Sequence, residues 1–305
     1  MLVHSRGNEN NQVLLSRRLY NLGLVEPQTE VRTTETGADQ GLYLDLLKRC
    51  LTGYLYPESS NQEVRPDRSM RLSRRVLFQA LNKRGYKILR RKPFDPEART
   101  LGHDWPSIGY SMVGLKRLDN LQFCIESVLN QNVPGDLLEA GVWRGGSCIL
   151  MRAILKLHKV ADRTVWVADS FQGLPAPTLE ADRGYDLSGE SQLAISQAEV
   201  EDAFRRFDLL DSQVKFLQGW FRDTLPSAPV SRLAVLRTDG DLYESTMDVL
   251  NALYHKVSAG GYVIVDDYHV VPPCKQAVRD FRSRTGIAEP IQEIDGTGVF
   301  WRKSD

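Results

Sequence analysis

Two apolar runs in this chain end on clustered carboxylates. LAVLRTDGD at 233–241 finishes with Asp239 and Asp241, and GYVIVDD at 261–267 finishes with the adjacent pair Asp266 and Asp267. A few carboxylate oxygens, completed by water and substrate, are the hard donor set that Mg²⁺ prefers. The competing reading is that these residues are helix N-caps or turn residues, roles Asp fills very often. Their placement favours one shared site. An unbroken apolar run reads as a parallel strand buried on both faces, and open α/β sheets bind ligands just beyond the carboxyl ends of such strands.

A second constellation lies upstream. EAGVWRGGS at 139–147 sets Glu139 before Gly141, Gly145 and Gly146 at a helix entry, where glycines let the backbone turn sharply and the helix N-terminus favours a negative group. The spacing is GxxxGG and not the dinucleotide GxGxxG, so NAD is not the natural ligand. Asp169 ends the next apolar run, 23 residues beyond Gly146, at the place where an acid can accept from ribose hydroxyls. Its alternative role is a turn or N-cap residue, since Ser170, Phe171, Gln172 and Gly173 follow. In QGWF at 218–221, Gly219 permits close approach and Trp220 or Phe221 offers a face for a purine or, equally, for core packing. A glycine turn, an acid and an aromatic on three successive strand ends describe a nucleoside pocket.

The elements that must position these groups alternate. Strands are expected at 136–140, 164–169, 214–219, 233–239, 261–267 and 298–303, with helices at about 147–158, 199–209, 243–256 and 274–284. Such alternation argues for an α/β, doubly wound sheet with helices on both faces. Before it, Asp119 is expected to open a helix carrying Leu121, Ile125, Val128 and Leu129 on one face. Residues 1–40 read as a flexible polar leader and 41–107 as a helical N-terminal extension or lid, followed by the main domain at 108–305. Within the extension, 42–56 has helical apolar spacing, and 68–99 holds eleven Lys or Arg against two acids. That basic stretch reads as a solvated helix packed on its own subunit or a neighbour, with a membrane or an acidic partner as the alternative.

Composition narrows the class. The 305 residues balance 39 basic against 39 acidic side chains, which gives no argument for nucleic acid or an anionic membrane as partner. Cys50, Cys124, Cys148 and Cys274 lack metal or disulfide-scaffold spacing and read as reduced thiols. No apolar stretch reaches the roughly 20 residues of a membrane span, and the first residues lack a signal-peptide core. A cytoplasmic protein is expected.

Taken together, EAGVWRGGS, ADSFQGLP (168–175), FLQGWFRDTLP (216–226), LRTDGDLYEST (236–246) and GGYVIVDDY (260–268) resemble the macrocin O-methyltransferase family. YLDLLKRCLTGYLYPE at 43–58 is similar to that family's N-terminal helix. The resemblance implies a Rossmann-like class I fold and an S-adenosylmethionine- and Mg²⁺-dependent enzyme that methylates sugar hydroxyls in antibiotic biosynthesis, commonly as a homo-oligomer. By the same resemblance Glu139, Gly141 and Ser147 line the methionine side of the cofactor and Met112 covers it. Asp169 and Ser170 then meet the ribose, Gly219 and Trp220 lie near adenine, and Asp239, Asp266 and Asp267 bind the metal. The expected partner is a small hydroxylated acceptor, a glycoside, and neither a nucleic acid nor a membrane.

Methyl transfer to an alcohol needs the acceptor deprotonated and held in line with the methyl carbon. Asp239 is the first candidate for the base, with Asp241 and His269 in reserve. His103, His158 and His255 have no motif around them, and Tyr243 is expected to pack at a helix start. A catechol-like phenol is the alternative acceptor, and a noncatalytic docking protein is the alternative from another class.

Overall fold

The computed structural model describes residues 36–64, 70–86 and 88–304. The chain divides into two units, Met1–Gly41 and Leu42–Asp305. Most of the first, and with it the expected leader, lies outside the described residues; its described part is the start of helix α1 (Thr36–Leu51).

In the second unit, the core is a seven-stranded sheet of β3 (Asp136–Ala140), β4 (Val165–Asp169), β5 (Val214–Gln218), β6 (Leu233–Thr238), β7 (Val257–Val265), β8 (Gln292–Glu293) and β9 (Val299–Arg302). Their order is β5-β4-β3-β6-β7-β9-β8. Neighbours from β5 through β7 pair in parallel, while β9 runs antiparallel to both β7 and β8. β6 is buried at every position, as its apolar run requires of a central strand covered on both faces. β1 (Gln62–Glu63) and β2 (Leu89–Arg90) make a separate antiparallel pair in the N-terminal extension.

Two apolar layers cover the sheet. One holds α4 (Gly114–Asn130), α5 (Gly146–Leu157) and α6 (Gln197–Arg206), with Leu118, Ile125, Ile149 and Phe204 at its centre. The other holds α7 (Tyr243–Leu253) and α8 (Pro272–Thr285), packed through Leu250, Val278, Phe281 and Trp301. Every residue of α5 from Gly146 to Leu155 is buried, so this helix is pinned against the sheet along its length.

Several boundaries differ from expectation. α1 ends at Leu51, six residues before Pro57, because Gly53 takes a left-handed conformation (φ 67°) and the Gly53 and Tyr54 amides turn back onto the Cys50 and Arg49 carbonyls. α4 begins at Gly114, so Asp119 sits inside it and binds the Lys48 ammonium instead of capping. β7 starts four residues earlier than Gly261, the register against β6 shifting between Leu233 and Val235. In the basic stretch, α2 (Leu72–Lys83) forms with no buried residue. α3 (Pro96–Leu101) follows, capped by Asp95, whose carboxylate accepts from the amides of Glu97 and Ala98.

Candidate active site

The chain runs outward from β3 through β4 to β5 and then returns to β6 on the other side of β3, which opens a crevice at the strands' carboxyl ends. Hydrogen bonds past the ends hold the tips in a row. The Gly141 amide donates to the Ala168 carbonyl (2.9 Å), Gly219 to Asp169 (2.9 Å), Asp239 to Ala140 (2.8 Å) and Asp266 to Thr238 (3.0 Å). A cavity of about 500 Å³ lies over this row, lined by Glu139, Asp169, Trp220, Asp239, Asp241 and Asp267 among others. Residues 110–113 wall it on one side. The amides of Tyr110 and Ser111 donate to the Leu51 carbonyl (2.7 and 3.0 Å), and the Gly146 amide donates to Tyr110 (2.8 Å).

Two glycines of the turn are there for backbone contacts. Gly141 has φ 89°, and a Cβ on it would lie 1.9 Å from the Asp239 carbonyl oxygen. A Cβ on Gly146 would lie 2.5 Å from the Tyr110 carbonyl oxygen. The first glycine therefore sets the β3 turn directly against the acid-bearing turn after β6, and the second seats the wall of the cavity. The close approach that these glycines permit in the structure is between loops.

Asp239, Asp266 and Asp267 present oxygens that all lie within 4.8 Å of one another. This crowding has electrostatic consequences. Burial, reinforced by the Asp266 carboxylate, raises the Asp239 pKa, and burial with Asp241 and Asp239 raises that of Asp267 well above the carboxylate range. Each carboxylate disfavours the charge on the other, and a divalent cation would relieve like charges held this close together. Asp267 Oδ2 is buried with no hydrogen-bond partner among the described residues. An all-oxygen donor set with one orphaned oxygen fits Mg²⁺.

Two arginines that sequence reasoning missed complete the cluster. Arg237 donates to Glu139 (2.5 Å), to Asp239 (2.9 Å) and to Asp266. Burial opposes its charge, but the carboxylates of Asp266, Asp239 and Glu139 outweigh that and raise its pKa. Arg117 donates to the other oxygen of Asp266 and to the Leu101 carbonyl (3.2 Å), and it lies 3.1 Å from Asp295. The signal for Arg237 was available: a charged residue inside an otherwise apolar strand must have buried partners.

The remaining candidates fall into three groups. Met112, Glu139, Gly141, Ser147, Asp169, Ser170, Gly219 and Trp220 all line the cavity. Of these, Asp169 also accepts from the amides of Val142 (2.8 Å) and Phe171 (2.7 Å), and the Ser170 hydroxyl donates to the Gly173 carbonyl (2.7 Å). The turn role weighed for Asp169 is therefore real. Asp241 lines the cavity too, and its carboxylate makes no ion pair among the described residues; burial and the neighbouring Asp239 push its pKa to about 7. His269 does not line the cavity: its ring packs edge-on against Tyr268, and Nε2 lies 3.4 Å from Glu293. The chain turns after Asp267, pinned by the Val270 and Val271 amides on its carbonyl, and carries the imidazole outward.

A seven-stranded sheet with this order and a cavity at its switch point has the fold of class I S-adenosylmethionine-dependent methyltransferases. Among solved structures, the O-methyltransferase NovP matches with a TM-score of 0.76 at 48% identity, over 88% of this chain and 100% of its own. The calicheamicin methyltransferase CalS11, at 20% identity and a TM-score of 0.55, shares the fold. The chain belongs to the macrocin O-methyltransferase family, whose model matches residues 40–303. Curated relatives include the demethyldecarbamoylnovobiocin O-methyltransferase of Streptomyces niveus, 49% identical over 88% of this chain and 96% of its own length. The mycinamicin III 3''-O-methyltransferase of Micromonospora griseorubida is 46% identical over 86% and 96%. A Streptomyces olivaceus enzyme named for 4'-O-methylation of a rhamnosyl tetracenomycin is 50% identical over 88% and 94%. The chain is an O-methyltransferase, and the noncatalytic reading falls.

Proposed function

We propose that the protein uses S-adenosylmethionine and Mg²⁺ to methylate a sugar hydroxyl of a glycosylated natural product in antibiotic biosynthesis. The observation that carries this reading is the meeting of two subsites in one cavity: the turn from Glu139 to Ser147, and the carboxylates of Asp239, Asp266 and Asp267. The names of the relatives from S. olivaceus and M. griseorubida, each specifying the position methylated on a glycosylated product, support the acceptor class. A homo-oligomer in the cytoplasm belongs to the same reading; the four free cysteines suit a reducing compartment.

Asp239, Asp266 and Asp267 would hold the metal. Glu139, Gly141 and Ser147, with Met112 over them, hold the methionine end of the cofactor; Asp169 and Ser170 face the ribose, and Gly219 and Trp220 the adenine. When bound, S-adenosylmethionine supplies the methyl group and Mg²⁺ supplies Lewis acidity that lowers the pKa of the acceptor hydroxyl. Asp241 takes the hydroxyl proton. It is preferred to Asp239, whose carboxylate is held by Arg237 and Asp267, and to His269, which lies off the cavity. The wall formed by residues 110–113 helps to exclude water from the reacting atoms. Isothermal titration with S-adenosylhomocysteine tests the cofactor assignment: binding at micromolar concentration is expected, and no binding at submillimolar ligand contradicts it.

A further inference from the structure

Arg237 reaches both subsites of the candidate site from the middle of the sheet. In the strand register it stands beside Glu139 of β3 and Ile264 of β7, with its side chain 2% exposed. One guanidinium nitrogen, Nη1, is divided between Glu139 and Asp239, and Nη2 is committed to Asp266. The other oxygen of Glu139 receives the Cys148 thiol (2.8 Å), and the other oxygen of Asp266 receives Arg117. Glu139 thus has one partner that depends on the metal subsite, and that partner is Arg237.

We propose that Arg237 is a positioning residue that couples divalent-cation binding at Asp239, Asp266 and Asp267 to cofactor binding at the Glu139–Ser147 turn, so that each ligand tightens the other. The inference rests on the proposed assignment of those two subsites. Nη1 has an N–H for each carboxylate, but both draw on one positive charge. A cation drawing on Asp239 leaves that charge less divided, so the charge-assisted hydrogen bond to Glu139 strengthens and the cofactor meets a side chain already ordered. Coupling of this kind is reciprocal, so the cofactor tightens the cation by the same factor. Lysine cannot replace the arginine, because a single ammonium lacks the planar fork that spans three carboxylates. Arg117 touches Asp266 but not Glu139, and it serves as the comparison.

The test is titration of the full-length protein with S-adenosylhomocysteine in millimolar Mg²⁺ and in EDTA, for wild type, Arg237→Lys, Arg237→Met and Arg117→Met. This demethylated product of the cofactor carries no sulfonium charge to repel the cation. Wild type is expected to bind it at least about five-fold more tightly in Mg²⁺. In both Arg237 variants that ratio should fall to within about two-fold of unity, while Arg117→Met keeps it. Thermal unfolding followed by circular dichroism identifies variants that fold. A merely structural arginine lowers the melting temperature and leaves the ratio intact, which overturns the proposal, as does loss of the ratio in all variants alike. If no Arg237 variant folds, wild type still decides: its Mg²⁺ affinity must rise on adding S-adenosylhomocysteine, and an unchanged affinity overturns the coupling. Failure of wild type to bind S-adenosylhomocysteine in either buffer is a different result and overturns the cofactor assignment itself.

Discussion

Asp241 stands in a left-handed backbone conformation, φ 53°, which costs a non-glycine residue roughly 1–2 kcal/mol but which Asp and Asn tolerate better than most. That conformation, directly after Gly240, puts a carboxylate on the cavity without a basic partner. Asp241→Asn keeps the shape and the backbone preference and removes the base. We expect kcat to fall at least about 100-fold while S-adenosylhomocysteine affinity stays within about two-fold, checked by steady-state kinetics and calorimetry. Unchanged kcat would remove Asp241 from the mechanism. The sequence made the acids visible as candidates, because Asp239 and the pair at 266–267 follow unbroken apolar runs. It could not rank Asp239 against Asp241. Ranking them needs the fact that Arg237, two residues before Asp239, folds back to hold it.

At the scale of elements, the glycine turn after β3 and the acidic turn after β6 are in backbone contact through Gly141 and Asp239. Gly141→Ala places a methyl group inside van der Waals distance of a carbonyl at a positive φ. We expect a loss of more than about 2 kcal/mol in stability, read by urea denaturation. Gly189→Ala, with nothing within 4 Å of its would-be Cβ, should change stability by less than about 0.5 kcal/mol. Equal effects of the two would show that the turn-to-turn contact does not matter. Strands β3, β4 and β6 were legible almost to the residue, since burial on both faces leaves mostly apolar side chains in them. The early start of β7 was not, because Ser258 and Gly260 carry no apolar signal there. Nor was the true start of α4 at Gly114, since its first turn lacks the side-chain cap that Asp119 seemed to offer.

Across the whole molecule, buried acids set how stability follows pH. Glu139 and Asp241 are both raised to about 7, chiefly by burial, from ordinary values near 4. Between those limits the folded state holds protons that the unfolded chain has released, so the stability of the metal-free protein falls as pH rises from about 5 to about 7.5. At the proposed site Mg²⁺ would bind ionised carboxylates of the folded state and offset that fall; differential scanning calorimetry in EDTA and in Mg²⁺ checks both. A melting temperature independent of pH and of Mg²⁺ would contradict the cluster's proposed ionisation. The sheet and its acid-tipped edge were legible because alternation and apolar runs are local signals. What α2 packs against was not: its apolar residues Leu72, Val76 and Leu77 remain exposed within the described chain. The central claim is methyl transfer to a hydroxyl at a cation-dependent carboxylate site. Mass spectrometry of glycosylated acceptors incubated with enzyme and S-adenosylmethionine tests it most directly: a gain of one methyl in Mg²⁺, lost in EDTA and in Asp239→Ala, is predicted, and methyl gain indifferent to both would contradict it.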